Sequence, residues 1–219
     1  TCWAMTSAWL GGERVGAGPD RGGGGVRAEV LYCPVPAPER PPQGARQALR
    51  TVLGVPEDAT VILQVGRLEP LKGHTTLLEA LGSLREEADW VCWIAGGVQP
   101  RPGPAYLEDL KRLAERLGIS ARVRFLGERT DVTALLAAAD LFCQPNVQPE
   151  SFGIAMVEAL HAGLPVVATA IGGALEVLDS SCGLLVPPGI RAPWRPPCRG
   201  CSGIPRPGPV WGRQAQDGQ

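Results

Sequence analysis

Residues 60–84 read TVILQVGRLEPLKGHTTLLEALGSL, and this stretch decides the fold. It opens on an apolar run with one polar interruption, Gln64, long enough for a strand buried on both faces. A polar turn from Gly66 to Gly73 follows, and then Leu77, Leu78, Leu81 and Leu84 recur at helical spacing. The unit is therefore strand, loop, amphipathic helix.

Working outward, the same alternation repeats. Apolar runs at 90–97 (WVCWIAGG), 122–127 (RVRFLG), 140–145 (DLFCQP), 165–169 (PVVAT) and 183–188 (GLLVPP) predict five more buried strands. Between them, PAYLEDLKRLAERLG places Leu107, Leu110, Leu113, Ala114 and Leu117 on one helix face. It carries Glu108 and Arg112 four apart and stops at Gly118. TDVTALLAAAD, FGIAMVEALHAG and GGALEVL predict three further helices, the first capped by Thr130 or Asp131. Apolar strands alternating with helices imply a doubly wound α/β fold with a parallel, Rossmann-like sheet.

The flanks differ in character. Residues 1–26 have no hydrophobic period, and residues 191–219 are rich in Pro, Gly, Arg and Trp, so both are expected to be irregular. The organisation is thus 1–26 irregular, 27–190 folded and 191–219 an irregular tail. The chain has 21 basic and 22 acidic residues, a balance that argues against nucleic acid as a partner. No stretch is long and apolar enough for a membrane span, and the first residues lack the pattern of a signal peptide. Residue 1 is Thr, which suggests that the chain begins inside a larger reading frame.

The seven cysteines, Cys2, Cys33, Cys92, Cys143, Cys182, Cys198 and Cys201, are scattered and odd in number, as expected for reduced thiols in a cytosolic protein. Cys92 and Cys143 fall in apolar runs as small hydrophobes, and the lone Cys198–Cys201 spacing reads as chance. His74 and His161 read as structural or surface residues, and no nucleophile–base or metal-ligand spacing is visible.

In doubly wound sheets ligands bind beyond the carboxyl ends of the strands, at a switch in strand order. Three loops qualify. In the first, Gly66 to Gly73, Arg67 and Lys72 suit a diphosphate, although alone the loop reads as an ordinary solvated turn. In the second, a helix starting near Phe152 or Gly153 offers free N–H groups to a phosphate. Glu150 precedes that helix and is placed for hydroxyls beyond the diphosphate. Glu158, one turn past Ile154, is placed for a ribose. Its neighbours Met156, Val157, Ala159 and Leu160 are apolar, so the helix is expected to be deeply buried, and a carboxylate there calls for a partner. In the third, Gly172 and Gly173 permit either tight packing or phosphate approach.

GRLEPLKG (66–73), FLGERTDV (125–132), PESFGIAMVEALHAGLPVVATAIGGALEVL (149–178) and GLLVPPG (183–189) resemble the retaining glycosyltransferases of family 4, whose GT-B architecture sets two Rossmann-like domains across a cleft. The resemblance covers residues 27–190 and implies the donor-binding C-terminal half. It implies that Arg67 and Lys72 hold the diphosphate, that Glu150 binds the donor sugar and that Glu158 binds the ribose. It further implies that Gly66 lies in the diphosphate loop, that the backbone of Phe152, Gly153 and Ile154 meets the sugar and phosphate, and that Glu128 and Arg129 flank the base. Arg67, Lys72 and Glu150 would be the catalytic set, with a UDP- or GDP-linked sugar as donor substrate and no metal or other cofactor. The acceptor would be a glycan or a lipid-linked sugar, and the location cytoplasmic or peripheral at the inner membrane face.

Residues 27–40 look like the usual entry into this half. A domain of similar size would precede it and closing helices would follow, so both ends are expected to be out of frame around an intact region. Binding of a nucleotide sugar by this chain alone is expected to be weak or absent, and transfer absent. The alternatives are a non-catalytic nucleotide-sugar-binding module or inactive truncated product, and a sugar-nucleotide epimerase of the same architecture. The paired cations and glutamates fit the epimerase less well.

Overall fold

A computed structural model describes residues 34–36, 41–86, 89–100 and 103–189 of the chain. All six apolar runs form strands: β1 Thr60–Val65, β2 Trp90–Ala95, β3 Val123–Gly127, β4 Leu141–Gln144, β5 Val166–Thr169 and β6 Gly183–Val186. They form one parallel sheet in the order β3-β2-β1-β4-β5-β6. The chain grows outward from β1 to β3, then crosses back to lay β4 on the other side of β1. The switch in strand order therefore lies between β1 and β4.

Helices α1 Ala45–Val52, α2 His74–Gly82, α3 Pro104–Arg116, α4 Val132–Ala138, α5 Ile154–His161 and α6 Ala174–Val177, with short 3-10 turns at Pro70–Lys72 and Ser120–Arg122, complete the element order. The alternation of side chains along β1 separates two cores. Val61 and Leu63 join Trp93, Phe142, Leu135 and Met156 on one face, which α4 and α5 cover. Ile62 joins Cys92, Ile94, Leu77, Leu81 and Leu110 on the other, which α2 and α3 cover. All four leucines picked out at 77, 78, 81 and 84 are buried. Each such side chain contributes about 2 kcal/mol by leaving water, so both sheet faces are firmly held. The doubly wound α/β reading is correct.

Several local expectations need correction. Glu108 pairs with Lys111 at 2.7 Å, and Arg112 pairs with Asp109 at 3.4 Å, so the helix-surface ion pairs are spaced three apart. Asp131 is the residue at which α4 begins, yet its carboxylate does not cap the helix, because Arg129 holds both oxygens at 2.7 and 2.6 Å. Leu107, Leu113 and Leu117 are partly buried, while Leu110 and Ala114 are the fully buried members of their face.

Cys92 and Cys143 are free and buried, and burial pushes the Cys143 thiol up to about 12. Both act as small hydrophobes. Cys182 is also free and buried. Cys2, Cys33, Cys198, Cys201 and the irregular flanks at 1–26 and 191–219 lie outside the described residues.

Helix α1 was not anticipated. Its Arg46 and Arg50, one turn apart, reach the end of α4 and the start of β4. Arg46 bonds the carbonyls of Ala137 and Ala139 and the Asp140 carboxylate at 2.5 Å. Arg50, only 3% exposed, bonds Asp140 at 2.9 Å and the carbonyl of Ala59. Burial raises the Asp140 pKa, but the Val61 N–H, Arg50 and Arg46 together hold it below the usual carboxylate value. This cluster sits at the amino ends of β1 and β4, away from the carboxyl edge.

Candidate functional site

The two loops that flank the switch leave β1 and β4, and backbone contacts fix one against the other. Val147 N–H donates to the Leu71 carbonyl at 3.0 Å. Gly73 adopts φ 71° and lies so close to Pro145 that an added Cβ would stand 1.7 Å from the Pro145 carbonyl oxygen. Only glycine fits there. From inside the sheet, Gln64 Nε2 donates to the Lys72 carbonyl at 2.8 Å and anchors the turn.

This frame delivers the Lys72 ammonium across the switch to Glu150. Lys72 Nζ lies 2.8 Å from Glu150 Oε1, with its alkyl chain passing over Gly66. Glu150 Oε2 accepts two more hydrogen bonds, from Gln144 Nε2 at 2.5 Å and Asn146 Nδ2 at 2.7 Å. Three donors thus surround one carboxylate. Arg67 takes a different partner, Glu69, at 3.0 Å, and its side chain is 54% exposed. The two cations expected to face one anion are each paired with a carboxylate of their own.

The paired glycines after β5 prove to be packing devices. An added Cβ at Gly172 would meet the Glu150 carbonyl oxygen at 2.5 Å, and one at Gly173 would meet the Ser151 carbonyl oxygen at 2.8 Å. Gly173 N–H donates to the Glu150 carbonyl at 2.8 Å. They support the Glu150 loop from beneath.

Helix α5 begins after Gly153, which has φ 80°, so the expected helix start is correct. The expected deep burial is not. Met156, Ala159 and Leu160 point inward, whereas Ile154 is 48% exposed and Glu158 is only partly buried. Ile154 and Glu158, one turn apart, share the open face. The Glu158 carboxylate has no hydrogen-bond partner among the described residues, while its backbone carbonyl accepts from Ala162 N–H at 3.0 Å. Burial raises its pKa above the usual value, opposed by the charge of His161. Met156 and Val157 N–H both donate to the Gly153 carbonyl, at 2.9 and 3.2 Å, so only the N–H groups before them lie ahead of the intrahelical ladder, as at any helix start.

Beyond β3, Glu128 packs beside Gly97, whose added Cβ would lie 3.4 Å from Glu128 Oε2. Arg129 is held by Asp131 as described. Leu68 N–H donates to the Gly97 carbonyl at 3.0 Å, so the loops leaving β1, β2 and β3 adjoin. Gly66, Arg67, Lys72, Glu128, Arg129, Glu150, Phe152, Gly153, Ile154 and Glu158 therefore all stand at the carboxyl edge of one sheet.

His74 opens α2 directly after this loop and is fully buried. Its Nδ1 lies 3.5 Å from the Tyr106 hydroxyl. Burial, against a backbone hydrogen bond at Glu69 and with the Lys72 charge adding, lowers its pKa to about 4. It is a neutral structural ring at neutral pH.

Gln144, Asn146, Glu69 and Asp131 are partners of site residues that motif reading missed. Gln144 carried a signal, as a polar residue ending an apolar strand run. Among the described residues no group of three or more His, Cys, Asp or Glu side chains is placed to hold a metal, and no helix is long and apolar enough to cross a membrane.

Comparison with known proteins identifies the family and the fold. The family model described as "Glycosyl transferases group 1" matches residues 45–192. The D-inositol 3-phosphate glycosyltransferase of Mycobacterium tuberculosis is 44% identical over 146 residues, which are 65% of this chain and 29% of that protein. The crystal structure of HepE from Anabaena in complex with UDP and glucose superposes with a TM-score of 0.65 at 35% identity, covering 69% of this chain and 40% of HepE. Sucrose-phosphate synthase from Thermosynechococcus elongatus gives a TM-score of 0.60 at 29% identity, over 69% of this chain and 37% of that enzyme. The six-stranded parallel sheet is of the Rossmann-like type found in GT-B glycosyltransferases. The chain spans less than a third of the M. tuberculosis relative's length.

Proposed function

The chain belongs to the glycosyl transferases group 1, and from that premise we propose that its switch-point loops bind a nucleotide-diphosphate sugar for a retaining, family 4 type of sugar transfer. The observation that carries the reading is the Lys72–Glu150 pair, which joins the β1 and β4 loops at the point where a doubly wound sheet binds its ligand.

In this reading Arg67 and Lys72 hold the diphosphate and offset the charge that grows on the leaving nucleotide. Fixed cations and a helix start stabilise such charge without reorganising during the reaction. The backbone of Phe152, Gly153 and Ile154 meets the phosphate and sugar, and Gly66 lies in the diphosphate loop beside the Lys72 alkyl chain. Glu150 accepts hydroxyls of the sugar. Glu158 accepts those of the ribose, and the open face of α5 supports this because a ligand can reach it. Glu128 and Arg129 flank the base. The UDP bound to HepE favours a UDP-linked donor over a GDP-linked one. The acceptor is a glycan or lipid-linked sugar, met at the cytoplasmic side of a membrane.

Titration of the chain with UDP-glucose and with a GDP-sugar, by calorimetry and by ligand-observed NMR able to detect weak binding, tests the reading. Weak binding of one of them is expected, and Arg67→Ala, Lys72→Ala and Glu158→Ala are each expected to weaken it about tenfold further, as loss of a charge-assisted hydrogen bond does. No binding of either ligand refutes the donor site, and unchanged affinity in Glu158→Ala refutes the ribose role.

A further inference from the structure

Among the described residues Glu150 is the one carboxylate of the site held by three side-chain donors, and two of these are amides whose side chains make no other hydrogen bond there. Gln144 Nε2 and Asn146 Nδ2 both donate to Glu150 Oε2, at 2.5 and 2.7 Å. The opposite ends of these amides, Gln144 Oε1 and Asn146 Oδ1, are buried with no partner among the described residues. Asn146 is 5% exposed. A buried amide oxygen without a donor costs stability and offsets what each hydrogen bond to Glu150 contributes, so the pairing adds little net strength to the fold. Each side chain's hydrogen bonding among the described residues goes to Glu150 alone.

The backbone explains how they converge. Gln144 is the last residue of β4 and Asn146 follows across Pro145, so both amides hang from the rigid end of a central strand. Gly153 leaves room for the first of them, since an added Cβ would stand 3.2 Å from Gln144 Nε2. With Lys72 on Oε1, the carboxylate uses three of its roughly four acceptor positions. One acceptor direction is left for a ligand.

We infer that Gln144 and Asn146 are positioning residues: they fix the Glu150 carboxylate so that its remaining lone pair meets one hydroxyl of the donor's sugar. The inference rests on the proposed donor site and deepens it. Its consequence is that the amides govern recognition of the sugar and leave recognition of the nucleotide unchanged.

The test is the ratio of affinities for UDP-glucose and UDP, measured on the full chain by ligand-observed NMR titration. Gln144→Met keeps length and removes the donor, and Asn146→Ala removes the second donor. Each is expected to lower the ratio about fivefold, the net worth of one hydrogen bond, with UDP affinity within about twofold of the unmodified chain. In a Glu150→Ala background neither change is expected to move the ratio further, because a residue that acts through Glu150 has nothing left to position. An equal fall with and without Glu150 overturns the inference, as does an unchanged ratio in both single variants. If Glu150→Ala itself leaves the ratio unchanged, the sugar contact of the underlying reading fails instead. Cooperative thermal melting checks each variant, and either substitution carries the cycle if the other disturbs folding.

Discussion

Lys72 Nζ lies 2.8 Å from Glu150 Oε1, and this pair bridges the loops leaving β1 and β4, the strands on either side of the switch in sheet order. The ammonium expected to meet a diphosphate is thus already neutralised by the carboxylate expected to meet the sugar. An incoming nucleotide has to share Lys72 with Glu150. Glu150→Gln removes that competitor while keeping the shape of the side chain. UDP is expected to bind about threefold more tightly to the variant, in keeping with the modest worth of a part-exposed ion pair, while the extra affinity for UDP-glucose disappears. Parallel calorimetric titrations check both effects, and weaker UDP binding would mean that Glu150 supports Lys72 instead of restraining it.

Gly73 and Gly118 both have φ 71°, but only Gly73 is crowded, with the Pro145 carbonyl 1.7 Å from where a Cβ would stand. Gly118→Ala is expected to cost about 1 kcal/mol, the left-handed strain alone. Gly73→Ala is expected to cost about 3 kcal/mol or more, because the strain and the clash add. It should also abolish nucleotide binding by pushing the two loops apart. Urea denaturation of both variants decides the matter, and equal losses would show that the close approach of the loops is not essential.

Arg50 is buried and Arg46 is partly exposed, yet both reach Asp140. Removing the carboxylate strands a buried guanidinium, so Asp140→Ala is expected to cost about 3 kcal/mol. Arg46→Ala is expected to cost about 1 kcal/mol or less. Because the cluster lies at the opposite edge of the sheet from the site, nucleotide affinity of the folded variants should not change. Similar losses for the two variants in urea denaturation would contradict the role given to burial.

The pKa of His74 is lowered from 6.5 to about 4 in the folded chain. Between those values the unfolded imidazole binds a proton that the native one refuses, so stability falls as pH drops through this window. The loss at about pH 4.5 relative to about pH 7 should approach about 2 kcal/mol from this group. Asp140 loses its stabilisation below that range, as its lowered pKa requires, and Glu158, with its raised pKa, acts in the opposite direction. Urea denaturation at the two pH values, with and without His74→Phe, isolates the effect. A slope that persists in the variant would assign it elsewhere.

The sheet was readable because strands buried on both faces are written as apolar runs, and β1 to β6 fall inside the runs named from composition alone. Arg67, Lys72, Glu150 and Glu158 stood out in the sequence because they occupy motif positions, and their placement at the carboxyl edge follows from the strand–loop–helix order. Burial of α5 was misread for a physical reason: four apolar neighbours around Glu158 do not all share its face, and only Met156, Ala159 and Leu160 turn inward. Competition between close partners was equally hidden. Lys111 wins Glu108 from Arg112, and Arg129 takes Asp131 away from the helix end. Arg46 and Arg50 meet a carboxylate some ninety residues away, and no local pattern announces such a contact. Gln144 and Asn146 became meaningful only once their distances to Glu150 were known.

A residue-resolved titration of isotope-labelled chain with UDP-glucose, followed by backbone amide NMR, tests the donor site most directly. Shifts are predicted to concentrate at Gly66 to Gly73, around Glu128 and Arg129, and from Glu150 to Glu158, with UDP alone moving the first two groups and residues 152–158 and leaving Glu150 itself less affected. Shifts centred on α1, Asp140 and the amino ends of the strands, or no shifts at all, would contradict a nucleotide-sugar site at the switch between β1 and β4.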